Sequence, residues 1–91
     1  MEYSYPLDPS WTTEEMVVVV RFFETIEKAY EERVRAHEVV EAYHALKMIV
    51  PSKAEEKTIF RKYAKASTYE SYPVVRRALN EASDAWIQMS E

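Results

Sequence analysis

None of the 91 residues of the chain is glycine. At an average usage of about 7%, roughly six would be expected, and their absence narrows both the fold and the chemistry open to the chain. Glycine lets the backbone take positive φ and approach a ligand without a Cβ in the way. Without it, neither a phosphate-cradling P-loop nor the glycine-rich dinucleotide fingerprint can form. The Asn-Gly and Asp-Gly hairpin turns are excluded as well, which leaves helices as the natural building unit. Cysteine is absent too, so there is no disulfide, thiolate metal site or cysteine nucleophile, in keeping with a reducing setting.

The expected pattern is all-α. Residues 1–11 hold Pro6 and Pro9 with Tyr3, Tyr5 and Trp11 and no helical period, so they form an extended aromatic arm that packs onto the rest. Thr12 and Glu15 stand at capping-box spacing, with Trp11 and Met16 at the staple positions around them. From there Met16, Val19, Val20, Phe23, Ile26 and Tyr30 share one helical arc, widened by Val18, Phe22 and Ala29, so this first helix should touch partners on two sides. A second series, Val39, Val40, Tyr43, Leu46 and Val50, is stopped by Pro51. Ser52 and Glu55 form a second capping-box pair and open a third helix with a stripe of Ile59, Phe60, Tyr63 and Ala66. Residues 68–72 form a turn, and Pro73 suits the first turn of a fourth helix carrying Val75, Ala78, Leu79, Ala82, Trp86 and Met89. The predicted architecture is a single domain over 1–91, a compact bundle of four helices at about 13–33, 37–50, 53–67 and 72–89 with short links and no strands.

The longest apolar run, Met16 to Val20, is five residues, against about 18 for a membrane span. The first fifteen residues contain Pro6, Asp8 and Pro9 and no apolar core of a leader. No membrane is expected among the partners, and the expected location is the cytoplasm.

Several strings resemble an uncharacterised family of small cytosolic proteins of low-GC Gram-positive bacteria, protein family 0223. They are Tyr5-Pro6-Leu7-Asp8 with Trp11-Thr12-Thr13-Glu14-Glu15, Phe22-Phe23, Glu27-Lys28-Ala29-Tyr30-Glu31 and, most specifically, Ile49-Val50-Pro51-Ser52-Lys53-Ala54-Glu55-Glu56-Lys57. The resemblance runs from about Tyr3 to Val75. It implies a small all-α fold and carries no activity, catalytic residue or cofactor with it. Where that family usually has Ser-Gly-Tyr-Ser before its last helix, this chain has Ser67-Thr68-Tyr69-Glu70. A glycine there would close the third helix with a left-handed residue, a geometry that β-branched Thr68 tolerates poorly, so the link is expected to differ in detail.

Charge is unevenly spread. The net charge is −4, but residues 1–41 carry ten acidic against four basic side chains and residues 42–91 six against eight. Lys53, Lys57, Arg61 and Lys65 recur at i+4 along one face of the third helix, with Lys62 close by. Together with Pro51-Ser52 this could imitate a helix-turn-helix reader, but the two-residue turn, Glu55 and Glu56 near the reading end, and the acidic balance all weigh against it. Tyr69 and Tyr72, on the predicted turn, are the kind of aromatic anchor that interfaces use.

Glu27 falls inside the apolar arc of the first helix, where a carboxylate is costly unless paired. A lysine from the third helix or a tyrosine hydroxyl could satisfy it; left unpaired in a pocket, it could serve as an acid. Glu41-Ala42-Tyr43-His44 has the Glu-x-x-His spacing of di-iron bundles. A full site needs a second such motif and two further glutamates, and Val34 stands three residues before His37, the other histidine. No cofactor or metal is therefore expected. The favoured reading is a non-enzymatic protein-interaction or regulatory module contacting an unknown protein or itself through Lys53, Lys57, Arg61, Lys65, Tyr69 and Tyr72. The alternative is weak nucleic-acid association through the same basic face, and the third is an enzyme built on an unrecognised carboxylate site.

Overall fold

The computed structural model describes residues 3–89; Met1 and Glu2 of the predicted arm, and Ser90 and Glu91, lie outside the described residues. The elements run α1 (Thr13–Glu31), β1 (Val34–Arg35), α2 (Ala36–Ile49), α3 (Lys53–Ser67), α4 (Ser71–Leu79) and β2 (Trp86–Ile87). It is a mostly helical bundle, as the periodicity predicts.

The start of α1 is doubly fixed. Thr12 Oγ1 accepts from the Glu15 N–H at 3.1 Å, and Glu15 Oε1 accepts from the Thr12 N–H at 2.8 Å, which completes the capping box. For α3 the Ser52 half of the box is formed, Oγ accepting from the Glu55 N–H at 3.3 Å. On α1, Val19, Phe22, Phe23, Ile26 and Ala29 are wholly buried. This helix packs against α2 and α4 through its backbone neighbourhood and reaches α3 through aromatic rings: Phe22 stacks on Phe60 at 5.5 Å and Phe23 on Tyr63 at 4.2 Å between centroids. Such pairs contribute about 0.5–1.5 kcal/mol beyond the area they bury. Val39, Leu46, Val50, Val74, Val75 and Ile87 join the same core.

Helical bounds differ from the prediction at five places, three of them, the start and end of α2 and the start of α4, by one residue. The first helix ends at Glu31, and α2 starts at Ala36. The larger correction concerns the fourth helix, which runs over Ser71–Leu79 instead of 72–89 and is followed by turns and a strand. β2 pairs antiparallel with β1, Val34 opposite Ile87 and Arg35 opposite Trp86, so the expectation of no strands is overturned. The physical reason lies in the first backbone groups of α2. Ala36 N–H donates to the Ala85 carbonyl at 2.8 Å and His37 N–H to the Ser83 carbonyl at 2.9 Å, satisfying donors that a helix start leaves open. A continued α4 would spend those carbonyls internally. The apolar spacing at Ala82 and Trp86 mimics a helical stripe, yet both are exposed and Ile87 is the buried residue. Trp86 is instead held between the Arg33 and Arg35 guanidinium groups, 3.9 and 3.7 Å from its ring centroid. On α3, Ala66 is exposed as well, and Ser67 takes the buried position.

Thr68 closes α3 in the left-handed region, φ 72° and ψ 2°, its N–H bonded to the Ala64 carbonyl. The chain thus keeps the geometry a glycine would supply and bears the steric cost of a β-branched residue there. It is the one non-glycine residue with positive φ among those described.

Candidate functional site

Three of the five basic residues on the third helix line a single groove of about 600 Å³ between α3 and the start of α4. Its lining is Lys53, Lys57 and Arg61, with Phe60 and Ala64 between the charges, Glu56 at one side, and Glu70 and Tyr72 opposite. The α-helical repeat explains the grouping: residues four apart recur on one face, so the cations stand in a row beside Phe60 and Ala64. Phe60 is buried, while the Tyr72 ring is 50% exposed. Among the described residues, Lys53, Lys57 and Arg61 have no ion-pair or side-chain hydrogen-bond partner.

Glu56, which the sequence places near the reading end of a would-be recognition helix, is only 5% exposed. Lys47 Nζ donates to its Oε1 at 2.6 Å and Tyr43 Oη to the same oxygen at 3.0 Å. Burial, followed by the bond to Glu56, pushes the Tyr43 hydroxyl up to about 12. The i+3 relation of Glu56 to Ile59 and its i+4 relation to Phe60 were the available signal, since both place it beside the apolar stripe. With Glu56 neutralised from α2, three cations face one remaining carboxylate, Glu70, across the groove.

The other two residues proposed with this surface lie elsewhere. Lys65 is exposed but does not line the groove. Tyr69 is turned to α1: its ring stacks on Tyr30 at 4.7 Å, and its hydroxyl donates to Glu31 Oε2 at 2.7 Å. Tyr72 is not on a turn but in the first turn of α4. The remaining tyrosines pack wholly or partly into the fold, so the tyrosine excess goes mainly into sealing the bundle.

Glu27 is paired by the arm, with no lysine of α3 involved. Tyr5 Oη donates to its two carboxylate oxygens at 3.0 and 2.9 Å, and Tyr3 Oη donates to Oε2. The Tyr63 hydroxyl stands 3.2 Å from that of Tyr3. Burial and the bond to Glu27 raise Tyr3 to about 12, and the same causes raise Tyr5; burial, then its contact with Tyr3, raises Tyr63. Every donor is a phenol that keeps its proton at neutral pH, so the cluster fastens the arm over Phe23 and Tyr63.

Glu41 meets His37, Nδ1 to Oε2 at 3.3 Å, and His44 is exposed. Among the described residues no three His, Cys, Asp or Glu side chains are grouped to hold a metal ion. A second concavity of about 690 Å³ between α1 and α2 is lined by Glu24, Glu27, Glu31, Glu32, Glu38 and Glu41 against Arg21 and Lys28, so the two faces carry opposite charge. Among the described residues no helix is long and apolar enough to cross a membrane.

A small helical bundle with a tyrosine-fastened arm, a two-residue strand clasp and one basic groove defines the class of protein. The chain belongs to the Uncharacterised protein family (UPF0223), whose pattern matches residues 2–87. It is 53% identical over 87 residues to a UPF0223 protein of Lysinibacillus sphaericus, covering 96% of this chain and 90% of the relative. A UPF0223 protein of Oceanobacillus iheyensis is 48% identical over 89 residues, 98% of this chain and all of the relative. A Listeria monocytogenes relative is 52% identical over 80 residues, 88% of this chain and 89% of its own.

Proposed function

We propose that the protein is a non-enzymatic, cytoplasmic protein-interaction module and that its contact surface is the α3/α4 groove. The observation that carries this reading is the row of three cations without partners among the described residues, Lys53, Lys57 and Arg61, beside half-exposed Tyr72. Unpaired charges around an exposed aromatic residue leave both electrostatic and apolar free energy to be gained on binding. Nucleic-acid association through the same helix is the less favoured reading, because Glu70 stands in the groove wall, Glu55 sits near the start of α3, and the whole chain is acidic. The carboxylate best placed for acid catalysis, Glu27, is already committed to Tyr3 and Tyr5. Affinity capture from extract with wild type and with the K57E/R61E variant tests the proposal. Loss of a captured protein from the variant supports it, and an unchanged set of captured proteins contradicts it.

A further inference from the structure

We propose that the α3/α4 groove takes a short acidic segment of another protein that carries one large apolar or aromatic side chain, an inference that rests on the groove being the interaction surface. Charge sets the first half of that chemistry. Lys53, Lys57 and Arg61 line the groove without partners among the described residues, and Glu56 is neutralised by Lys47 and Tyr43. Only Glu70 opposes an incoming anion. The apolar half is set by Phe60, Ala64 and Tyr72, which lie between and across from the cations. Covering the half-exposed Tyr72 ring removes apolar surface from water, which an all-acidic segment would not do.

Spacing fits the same occupant. Successive cations are four residues apart on α3, a rise of about 6 Å each. Alternate side chains of an extended chain recur at about 6.7 Å, so carboxylates at every second position stay in step with three cations. The intervening side chain then points the other way, toward the Tyr72 wall. The groove volume of about 600 Å³ lies within the range of sites that enclose a compact ligand.

The chain's own acidic face is the wrong shape for this role. The glutamate-lined surface between α1 and α2 is itself concave, and two concavities do not fill one another. A nucleic-acid backbone carries a longer row of anions than three cations can follow, and it would run on to a surface that is acidic overall.

The test is an NMR titration of the isotope-labelled whole chain at low salt with three probes: a short synthetic peptide alternating aspartate around a central phenylalanine, the same peptide with serine for the phenylalanine, and duplex DNA. The proposal expects shifts centred on Lys53, Lys57, Phe60, Arg61 and Tyr72. It expects the serine peptide and the K57E/R61E and Y72A variants each to bind at least about tenfold more weakly. The K62E/K65E variant, with the same charge change on the same helix outside the groove, stays within about twofold of wild type. Equal binding of the serine peptide overturns the apolar anchor. Tighter binding of DNA through the same residues overturns the acidic-peptide assignment. Failure of the peptide while K57E/R61E still loses a captured protein overturns this inference and leaves the groove as the interaction surface. Failure of both overturns the two together.

Discussion

Lys47 reaches from α2 to Glu56 on α3, its ammonium 2.6 Å from a carboxylate oxygen that also accepts from Tyr43. The Glu56 side chain is 6% exposed and that of Lys47 24%. The pair matters for function because it removes one of the two negative charges lining the groove.

Breaking this pair from one side should be costly. Removing one partner of a buried ion pair costs about 3–5 kcal/mol; Tyr43 remains as a donor and Lys47 is partly solvated, so K47M should lie at the low end, ~3 kcal/mol. K47M/E56L should recover most of that, since replacing both members by apolar groups is close to neutral. Urea unfolding of the three proteins checks it, and a K47M loss below about 1 kcal/mol would remove the pair from the account.

Thr68 offers the opposite sign. A non-glycine residue in the left-handed region costs about 1–2 kcal/mol, and glycine gives back part of the gain through its larger unfolded-state entropy. T68G should therefore stabilise by ~0.5–1 kcal/mol and raise the melting temperature by a few degrees in a domain of this size. Thermal melts followed by circular dichroism read this directly; a lower melting temperature would mean that the Thr68 side chain makes a compensating contact.

The arm depends on Glu27. In E27A, Tyr3 and Tyr5 lose their acceptor, and polar groups left without partners at a half-buried site cost about 1–3 kcal/mol. The expected result is a loss of ~2 kcal/mol, with faster proteolysis confined to residues 3–11. Cleavage no faster than in wild type would show that ring packing of Tyr5 on Phe23 and Tyr63 holds the arm by itself.

Alkaline pH should undo the same contacts. Tyr3 and Tyr43 are raised to about 12, and Tyr5 and Tyr63 are raised as well, against about 10 in the unfolded chain. A group whose folded pKa is raised favours the fold in its protonated form, so this stability is fully present below pH about 10 and is lost as pH climbs through about 12. Tyrosinate absorbance should rise in more than one wave, the later one accompanied by loss of helical signal. A single wave near pH 10 with the helices intact would contradict the buried phenol–carboxylate clusters.

How much of this was legible in the sequence differs by element. The starts of α1 and α3 were readable because Thr12/Glu15 and Ser52 are local capping signals and Pro51 separates α3 from the helix before it, whereas the left-handed Thr68 that closes α3 ran against the preference of a β-branched residue. The family resemblance was equally local, resting on contiguous strings. The clasp was not readable, because β1 and β2 are two residues each and their pairing is fixed by α2 donors some fifty positions away, a non-local effect that no window reports. Val34 and Ile87 carry too little pattern to mark strands alone. In the site, the row Lys53, Lys57 and Arg61 followed from helical spacing, whereas the turning of Tyr69 to Tyr30 and Glu31 required knowing where α1 lies. The burial of Glu56 was half visible from its place beside Phe60; its partner Lys47, on another helix, was not.

The most direct measurement of the central claim compares two charge reversals on one helix. K57E/R61E alters the groove, and K62E/K65E makes the same charge change outside its lining. Captured-protein recovery from extract should fall by at least about tenfold with K57E/R61E and stay within about twofold of wild type with K62E/K65E. Equal recovery from both variants, whether both retained or both lost, would contradict the assignment of the α3/α4 groove as the interaction surface.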